Sequence, residues 1–226
     1  MQPEDIFIVM PAFNEAGAVG ETVAGLRPHY PRVVVVDDGS RDETAERALA
    51  AGAVVLRHAL NRGQGAALQT GIRYALERGA RCVVTFDSDG QHRPEDIPRL
   101  LEPIVQGRAE IVLGSRFLGT GASVPLRRRL LLKGAVIFTR LSSGVALTDA
   151  HNGLRAFSRR AAERIDIRLD RMAHASELID QIRRMGLPYE EVPVTVRYTD
   201  YSVAKGQRAS GAVKIVFDYF VGRILR

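Results

Sequence analysis

The sequence VVTFDSDGQH, residues 83–92, joins the end of an apolar run to a polar segment with two aspartates. The apolar run that leads into it, residues 82–86, is typical of a fully buried strand. Asp87 and Asp89 follow this strand directly, and in an open α/β sheet ligands bind at the carboxyl ends of the strands. A tight turn at this position would direct both carboxylates toward one point.

The oxygen atoms of this stretch suit a hard divalent cation. The carboxylates of Asp87 and Asp89, with the amide oxygen of Gln91, would form a site for Mg²⁺ or Mn²⁺ that leaves room for phosphate oxygens. The alternative is an ordinary polar turn, because Asp, Ser and Gly are the usual turn-forming residues. The choice between the two depends on the rest of the chain.

Composition places the chain among soluble globular proteins of a reducing compartment. It has 226 residues, of which 46% are hydrophobic and 26% are charged. A single cysteine, Cys82, excludes an internal disulfide framework. We expect neither a secretory signal nor a membrane span. The net charge of +6 suits nucleic acid, phosphorylated substrates or an anionic membrane surface, and it selects none of them.

Strand and helix patterns alternate along the first half of the chain and are joined by short loops. This order predicts an α/β fold whose sheet is mainly parallel and covered by helices on both faces. The predicted strands are residues 6–10, 32–37, 53–56, 82–86 and 111–113. The predicted helices are residues 18–26, a segment that Asp42 caps and that runs to Ala51, residues 66–77, and a segment that Pro94 opens.

Three of the predicted strands end in polar clusters: Asn14 with Glu15, Asp37 with Asp38, and Asp87 with Asp89. If these strands are parallel, the three clusters lie along one edge of the sheet. Carboxylates there could accept hydrogen bonds from a base and a ribose, while a cation bridges to phosphates. The sequence has no P-loop and no dinucleotide-binding glycine motif, which disfavours ATPase and dinucleotide functions.

Several motifs, taken together and in this order, resemble family 2 glycosyltransferases of the GT-A fold. They are PAFNE (11–15), DDGS (37–40), DSDGQH (87–92), GSR (114–116), TDAHNGLRAF (148–157) and VPVT (192–195). The pattern is most like that of polyprenyl-phosphate sugar synthases of the dolichol-phosphate-mannose synthase type. The resemblance implies a GT-A domain over residues 1–208, with a nucleotide-binding half (1–117) and an acceptor half (118–208). Residues 209–226 would form a C-terminal amphipathic helix.

The resemblance also implies the contacts of the donor, a GDP- or UDP-linked sugar. Asp87, Asp89 and Gln91 would hold Mg²⁺ or Mn²⁺. One departure concerns the loop of the donor-binding lysine, where Thr199 stands in place of the family's arginine, and Arg197 or Arg208 are candidate substitutes. The implied donor-binding residues are Pro11, Phe13, Glu15, Val36, Asp37, Asp38, Asp87, Ser88, Asp89, Arg116 and Lys205.

The acceptor half contains a basic and apolar segment after Pro125. Basic and apolar residues together suit a helix at a lipid headgroup region, although a solvated surface helix is the alternative. The resemblance favours the first interpretation and implies a polyprenyl phosphate acceptor. The candidate acceptor-binding residues are Arg127, Arg128, Arg129, Asp149 and Arg197.

The acceptor determines whether a catalytic base is required. A polyprenyl phosphate is already ionised at neutral pH, whereas a hydroxyl acceptor needs a carboxylate to take its proton. Glu177 or Asp149 would be that base in the alternative function, a family 2 transfer to a hydroxyl in polysaccharide or glycolipid assembly. We expect inverting transfer with Asp89, Arg116 and Glu177 as the catalytic candidates.

Residues 211–226 are too apolar for a free solvated tail. This segment could lie on a membrane surface, pair with a second subunit, or dock on its own domain. We expect a cytoplasmic protein attached peripherally to the cytoplasmic face of the membrane, with a homodimer through this helix as the alternative. Nucleic acid is not an expected partner, because the aromatic residues show no stacking pattern beside basic residues.

Overall fold

The computed structural model describes residues 1–118, 147–149, 152–169 and 174–197. Several predictions lie outside these residues: the basic segment with Arg127, Arg128 and Arg129, the lysine loop with Lys205, and the C-terminal helix at 209–226.

The described residues contain seven strands in one mixed sheet, in the order β3-β2-β1-β4-β6-β5-β7. Only β6 runs antiparallel to its neighbours, β4 and β5, while every other pair in this sheet is parallel. The mixed, mainly parallel sheet predicted from the sequence is therefore confirmed. The strands are β1 (Ile6–Ala12), β2 (Arg32–Asp37), β3 (Val54–Arg57), β4 (Cys82–Thr85), β5 (Ile111–Ser115), β6 (Arg155–Ser158) and β7 (Tyr189–Pro193).

Six α-helices of the described residues flank the sheet. They are α1 (Val19–Leu26), α2 (Thr44–Ala50), α3 (Gln64–Glu77), α4 (Ile97–Val105), α5 (Arg159–Ala162) and α6 (His174–Met185). Pro94 opens a 3₁₀ turn, Pro94–Asp96, and not α4 itself. Glu43 occupies the N-cap of α2, and Asp42 accepts the Thr44 N–H from one position earlier. In this part of the chain, no helix is long and apolar enough to cross a bilayer.

The four consecutive valines of β2 show why its sequence does not alternate. Val34 and Val36 face one core layer, which α3, α5 and α6 cover, while Val33 and Val35 face the layer that α1, α2 and α4 cover. Both faces of the strand are thus buried, as is usual for parallel strands. The central strands are thereby fixed between two apolar layers, and their carboxyl ends are left for polar loops.

Gly71 sets the distance between α3 and the centre of the sheet. A Cβ added at this residue would overlap Cγ1 of Val9 and would also lie 3.2 Å from Cγ2 of Val36. Both neighbours are fully buried valines in central strands, so they have little room to move. Glycine therefore allows the helix to lie close against β1 and β2.

We expect Gly71→Ala to lower the free energy of unfolding by about 1 to 3 kcal/mol, because the added methyl group overpacks the interface. Urea denaturation measures the change. Gly20→Ala in α1 is the matched control, since its Cβ would meet atoms no nearer than 3.8 Å. There the better helix propensity of alanine should leave stability unchanged or raise it. Equal destabilisation of the two variants would contradict this account of Gly71.

Candidate active site

The carboxyl ends of β1, β2 and β4 meet at one edge of the sheet, as the sequence predicts. The Asp38 N–H donates to the Ala12 carbonyl at 2.8 Å, and the Phe86 N–H donates to the Val9 carbonyl at 3.0 Å. The hydroxyl of Ser88 donates to the carbonyl of Pro11 at 2.8 Å. The loops that follow these three strands are therefore neighbours in space.

The first loop is fixed against the second by Asn14. This residue has a φ of 54°, a left-handed conformation that asparagine tolerates better than most residues. Its N–H donates to Oγ of Ser40 at 2.9 Å, and its Oδ1 accepts the Arg41 N–H at 2.9 Å. The Glu15 N–H donates to Oγ1 of Thr44 at 2.8 Å. Both predicted donor-binding loops thus have one defined arrangement.

The aspartates of the second loop point into the protein. Asp38 is buried and accepts the N–H groups of Arg62 at 2.9 Å and Gly63 at 2.6 Å. Asp37 is fully buried, and its Oδ1 accepts the Ser40 N–H at 2.9 Å. Its Oδ2 lies 3.0 Å from Nε of Arg57 as an ion pair, without the angle of a hydrogen bond. These carboxylates hold the loops that surround the site.

The remaining residues predicted to bind the donor fall into a buried group and an exposed group. The Val36 side chain is packed in the core, and Pro11 and Ser88 are buried, with the Ser88 hydroxyl already bonded to Pro11. Phe13 is 41% exposed, and Glu15 is partly exposed. Phe13 lines a cleft of about 670 Å³ together with Asn14, Gly39, Arg57, His58 and Leu60. Of the predicted donor residues named here, only Phe13 lines this cleft.

Asp87 is held on both carboxylate oxygens. Nε2 of His92 lies 2.9 Å from Oδ2, and Nε2 of Gln64 donates to Oδ1 at 3.2 Å. A Cβ added at Gly153 would overlap this carboxylate, so only glycine allows the backbone to approach so closely. In contrast, Asp89 accepts the N–H of Gln91 at 3.0 Å through Oδ1. Asp89 is therefore the less constrained member of the pair.

The two carboxylates have opposite pKa shifts. Burial, and then the negative charge of Asp87, raise the pKa of Asp89 to about 6. For Asp87, burial alone would raise the pKa, but the hydrogen bond and charge of His92, with the charges of Arg155 and His174, outweigh it and lower the pKa. Close to neutral pH the protein thus maintains two neighbouring negative charges, which is the electrostatic condition that a divalent cation relieves.

The donor set fits a cation that is shared with a phosphorylated ligand. Within the described ranges, no three His, Cys, Asp or Glu side chains gather into a group that could hold a metal ion. Asp87 and Asp89 supply two carboxylates, and the partly exposed Gln91 lies beside them. Mg²⁺ is commonly bound by one or two carboxylates plus the phosphates of a substrate. The residues present fit that mode of binding.

Arg116 and Asp149 form a buried bidentate ion pair. Nε and Nη2 of Arg116 lie 2.6 and 2.7 Å from the two oxygens of Asp149, and the Arg116 N–H donates to Oδ2 at 3.1 Å. Burial by itself would raise the pKa of Asp149, but its bonds with Arg116 outweigh burial and lower it. Asp149 is consequently a weak proton acceptor, and its carboxylate fixes the guanidinium.

Glu177 holds a loop. It is buried near the start of α6, and its Oε2 accepts the N–H groups of Arg168 at 3.0 Å and Leu169 at 2.7 Å. The Leu169 carbonyl lies so close to Gly65 that a Cβ there would overlap it. Glu177 thereby positions residues 168–169 against the start of α3, next to Gln64. Arg197, another predicted acceptor residue, is exposed, and its N–H donates to the carbonyl of Gln91 at 2.8 Å.

Sequence reasoning missed the residues that surround Asp87. The DSDGQH and TDAHNGLRAF motifs contain His92, Gly153 and Arg155 without indicating that they contact or influence Asp87, and Gln64 lies outside both motifs. Arg155 is buried at the start of β6, where its charge acts on both Asp87 and Asp149. The NRGQG stretch before α3 carried a signal, because its polar residues lie where a helix begins near the sheet edge.

Comparison with known proteins identifies similar chains. The sequence profile of Glycosyl transferase family 2 matches residues 7–166. The UDP-N-acetylglucosamine–dolichyl-phosphate N-acetylglucosaminyltransferase of Methanococcus voltae is 33% identical, with 94% of this chain and 93% of that protein covered. The undecaprenyl-phosphate mannosyltransferase of Micrococcus luteus is 31% identical, with 92% and 89% covered.

A solved structure with the same fold is glucosyl-3-phosphoglycerate synthase from Mycobacterium tuberculosis in complex with Mn²⁺ and uridine-diphosphate-glucose. It superposes with a TM-score of 0.74 at 21% identity and covers 96% of this chain and 78% of that one. The similarity supports the GT-A fold expected from the sequence.

Replacing Asp89 by Asn tests the electrostatic cost of the carboxylate pair in metal-free protein. Because the pKa of Asp89 is raised from 3.8 to about 6, the folded state loses stability relative to the unfolded state as pH rises through that interval. Asn cannot ionise, so above about pH 6 the variant should be more stable by about 1 to 2 kcal/mol, allowing for partial exposure.

Below about pH 4 the two proteins should be equally stable, since both carboxyl and amide are then neutral. Chemical denaturation on either side of this interval, in the presence of chelator, measures both differences. Asp166→Asn, at an exposed ion pair, is the control and should show no such gain. A gain of equal size at both pH values would show that charge repulsion is not its cause.

Proposed function

The chain belongs to glycosyl transferase family 2, and we propose that it transfers a sugar from a nucleoside-diphosphate sugar to a polyprenyl phosphate. The observation that carries this proposal is the pair Asp87 and Asp89 at the carboxyl end of a buried strand, beside the two loops that follow β1 and β2. The acceptor is supported by relatives named for transfer to dolichyl phosphate and undecaprenyl phosphate.

The donor would lie across the loops after β1, β2 and β4. Phe13 offers an exposed ring for stacking against a base, in the cleft that also contains Arg57 and His58. Asp37 and Asp38 support this binding indirectly, because they fix the loops that surround the cleft. The base remains open between the uracil and the guanine of a UDP- or GDP-linked sugar.

Asp87, Asp89 and Gln91 would hold the cation, Mg²⁺ or Mn²⁺. When bound, the cation supplies positive charge that offsets the charge of the departing diphosphate. Asp87 is the prearranged ligand, since its carboxylate is already oriented by His92 and Gln64. Asp89 is the adjustable ligand, and its deprotonated form is the one that binds.

Arg116 would add a fixed positive charge near the reacting phosphates. Its guanidinium is oriented by both oxygens of Asp149, so little reorganisation is needed when negative charge develops nearby. Lys205, outside the described residues, would add a second charge.

The arrangement of the carboxylates favours a phosphate acceptor over a hydroxyl. Asp149 is paired with Arg116, and Glu177 accepts two backbone N–H groups. Both candidate bases are thus engaged in holding other groups. An ionised phosphate oxygen attacks C1 of the sugar without first losing a proton, with inversion at that carbon. Transfer to a hydroxyl, with Glu177 or Asp149 as the base, is the alternative.

A lipid acceptor implies a position at the membrane surface. We propose peripheral attachment at the cytoplasmic face, through the basic segment with Arg127, Arg128 and Arg129 and through the C-terminal helix at 209–226. Arg197 lies next to the motif through its bond to Gln91 and would contact the acceptor phosphate. Pairing of two copies through the C-terminal helix is the alternative role of that segment.

Loss of a proposed cation ligand tests whether donor binding depends on the metal. Asp89→Ala should reduce transfer by at least about 1,000-fold and abolish Mn²⁺-dependent binding of the donor, because the adjustable ligand is lost. Isothermal titration with UDP- and GDP-sugars, with Mn²⁺ or with chelator, measures binding. Asp166→Ala is the control for a surface aspartate. Full activity in chelator would contradict the assignment.

Acceptor choice is tested with Glu177→Gln. If the acceptor is a phosphate, transfer to polyprenyl phosphate should fall by less than about 10-fold, since no proton must be removed; loss of a true base typically costs about 100- to 10,000-fold. The assay measures release of the nucleoside diphosphate with polyprenyl phosphate, the free polyprenol and a saccharide. Transfer to an alcohol or a saccharide, with none to the phosphate, would favour the alternative function.

A further inference from the structure

Two Asp–His pairs lie in or next to the site, and they differ in the hydrogen bonds that the histidine makes. In the first pair, Nδ1 of His58 lies 2.7 Å from Oδ1 of Asp38, and Nε2 lies 2.9 Å from Oγ1 of Thr70. Both ring nitrogens therefore have partners. This arrangement explains His58 completely as a residue that stabilises the loop that Asp38 holds.

His92 has no comparable structural explanation. Its Nε2 lies 2.9 Å from Oδ2 of Asp87, but its Nδ1 is buried without any hydrogen-bond partner. The residue is only 7% exposed, and its ring meets Phe86 edge-on with the centroids 5.6 Å apart. A buried nitrogen without a partner lowers stability, and an apolar side chain among these neighbours would avoid that loss. The bond between His92 and Asp87 must therefore offset this loss.

The tautomer of His92 follows from these contacts. Oδ2 of Asp87 is a carboxylate oxygen and accepts, so Nε2 of His92, 2.9 Å away, carries the hydrogen. The ring cannot turn to satisfy Nδ1 without losing this bond. The backbone is also fixed, since His92 pairs with Val196 across an antiparallel bridge. His92 therefore presents one N–H in one direction, to one oxygen of Asp87.

We infer that His92 is a positioning residue, which fixes the Asp87 carboxylate through its Nε2–H so that Asp87 is ready to share a divalent cation with Asp89. This inference rests on the metal use that is part of the proposed function. The Gly153 backbone lies close against the carboxylate, and Gln64 bonds the other oxygen. Among the hydrogen bonds of the described residues, the one from the His92 imidazole is thus the only one that orients Oδ2.

Carboxylates that bind metals generally depend on such outer hydrogen bonds, and their removal typically weakens metal binding by about 10- to 100-fold. A side chain of similar length with an amide N–H in place of Nε2 should retain most of the effect. Comparison of Gln and Leu at this position therefore distinguishes the effect of the hydrogen bond from the effect of the ring.

The test compares His92→Leu, His92→Gln and the unmodified protein in direct Mn²⁺ titrations, with and without UDP or GDP, followed by electron paramagnetic resonance. His92→Leu should bind Mn²⁺ about 10-fold more weakly or worse, while His92→Gln should stay within about 3-fold of the unmodified protein. The melting temperature of His92→Leu should fall no further than that of His58→Leu, because removal of the buried unpartnered nitrogen offsets part of the lost bond to Asp87. His58→Leu, the matched control, should lose stability and keep its Mn²⁺ affinity.

Three results would overturn the inference. They are unchanged Mn²⁺ affinity in His92→Leu, equal loss in the Leu and Gln variants, and a His92→Leu protein that does not fold. Absence of Mn²⁺ binding by the unmodified protein, even with UDP or GDP present, would instead refute the proposed metal use, and the inference with it. Mn²⁺ binding by the unmodified protein thus distinguishes failure of the His92 inference from failure of the proposed metal use.

Discussion

The repulsion between the Asp87 and Asp89 carboxylates is the interaction on which the rest of the site depends. Two negative charges at the end of one buried strand destabilise the protein unless their surroundings compensate. The compensation is unequal, because His92, Gln64 and the buried Arg155 act on Asp87, while Asp89 keeps a raised pKa. One charge is thereby secured within the fold, and the other is left available to a ligand.

Most other polar groups around the site act on the backbone. Asp38 and Glu177 each accept two backbone N–H groups, and Asn14 connects two loops through its own N–H and its amide oxygen. Loops cannot use ladder hydrogen bonds, so buried side chains satisfy their backbone groups instead. An acidic residue near a ligand site can therefore bind the backbone of a loop as readily as it binds the ligand.

Because an acidic residue can have either role, the sequence alone could not predict which role each one has. The bounds of β2 were predicted correctly because its four consecutive valines are typical of a buried strand, and the edge location of the three polar clusters followed from parallel strands. The inward direction of Asp38 and the pairing of Asp149 with Arg116 depend on contacts between distant residues, which no local pattern records. The partner of His92 was hidden for the same reason, although the motif containing it was recognised.

The antiparallel position of β6 between β4 and β5 has a consequence for how the protein is made. β4 and β5 precede β6 in the chain, so the position between them cannot be filled until β6 has been synthesised. An unpaired strand edge attracts other chains. Gly153, which closes one side of the Asp87 carboxylate, emerges just ahead of β6. The gap in the sheet and one side of the Asp87 carboxylate are thus filled by the same short stretch of chain, residues 153–158.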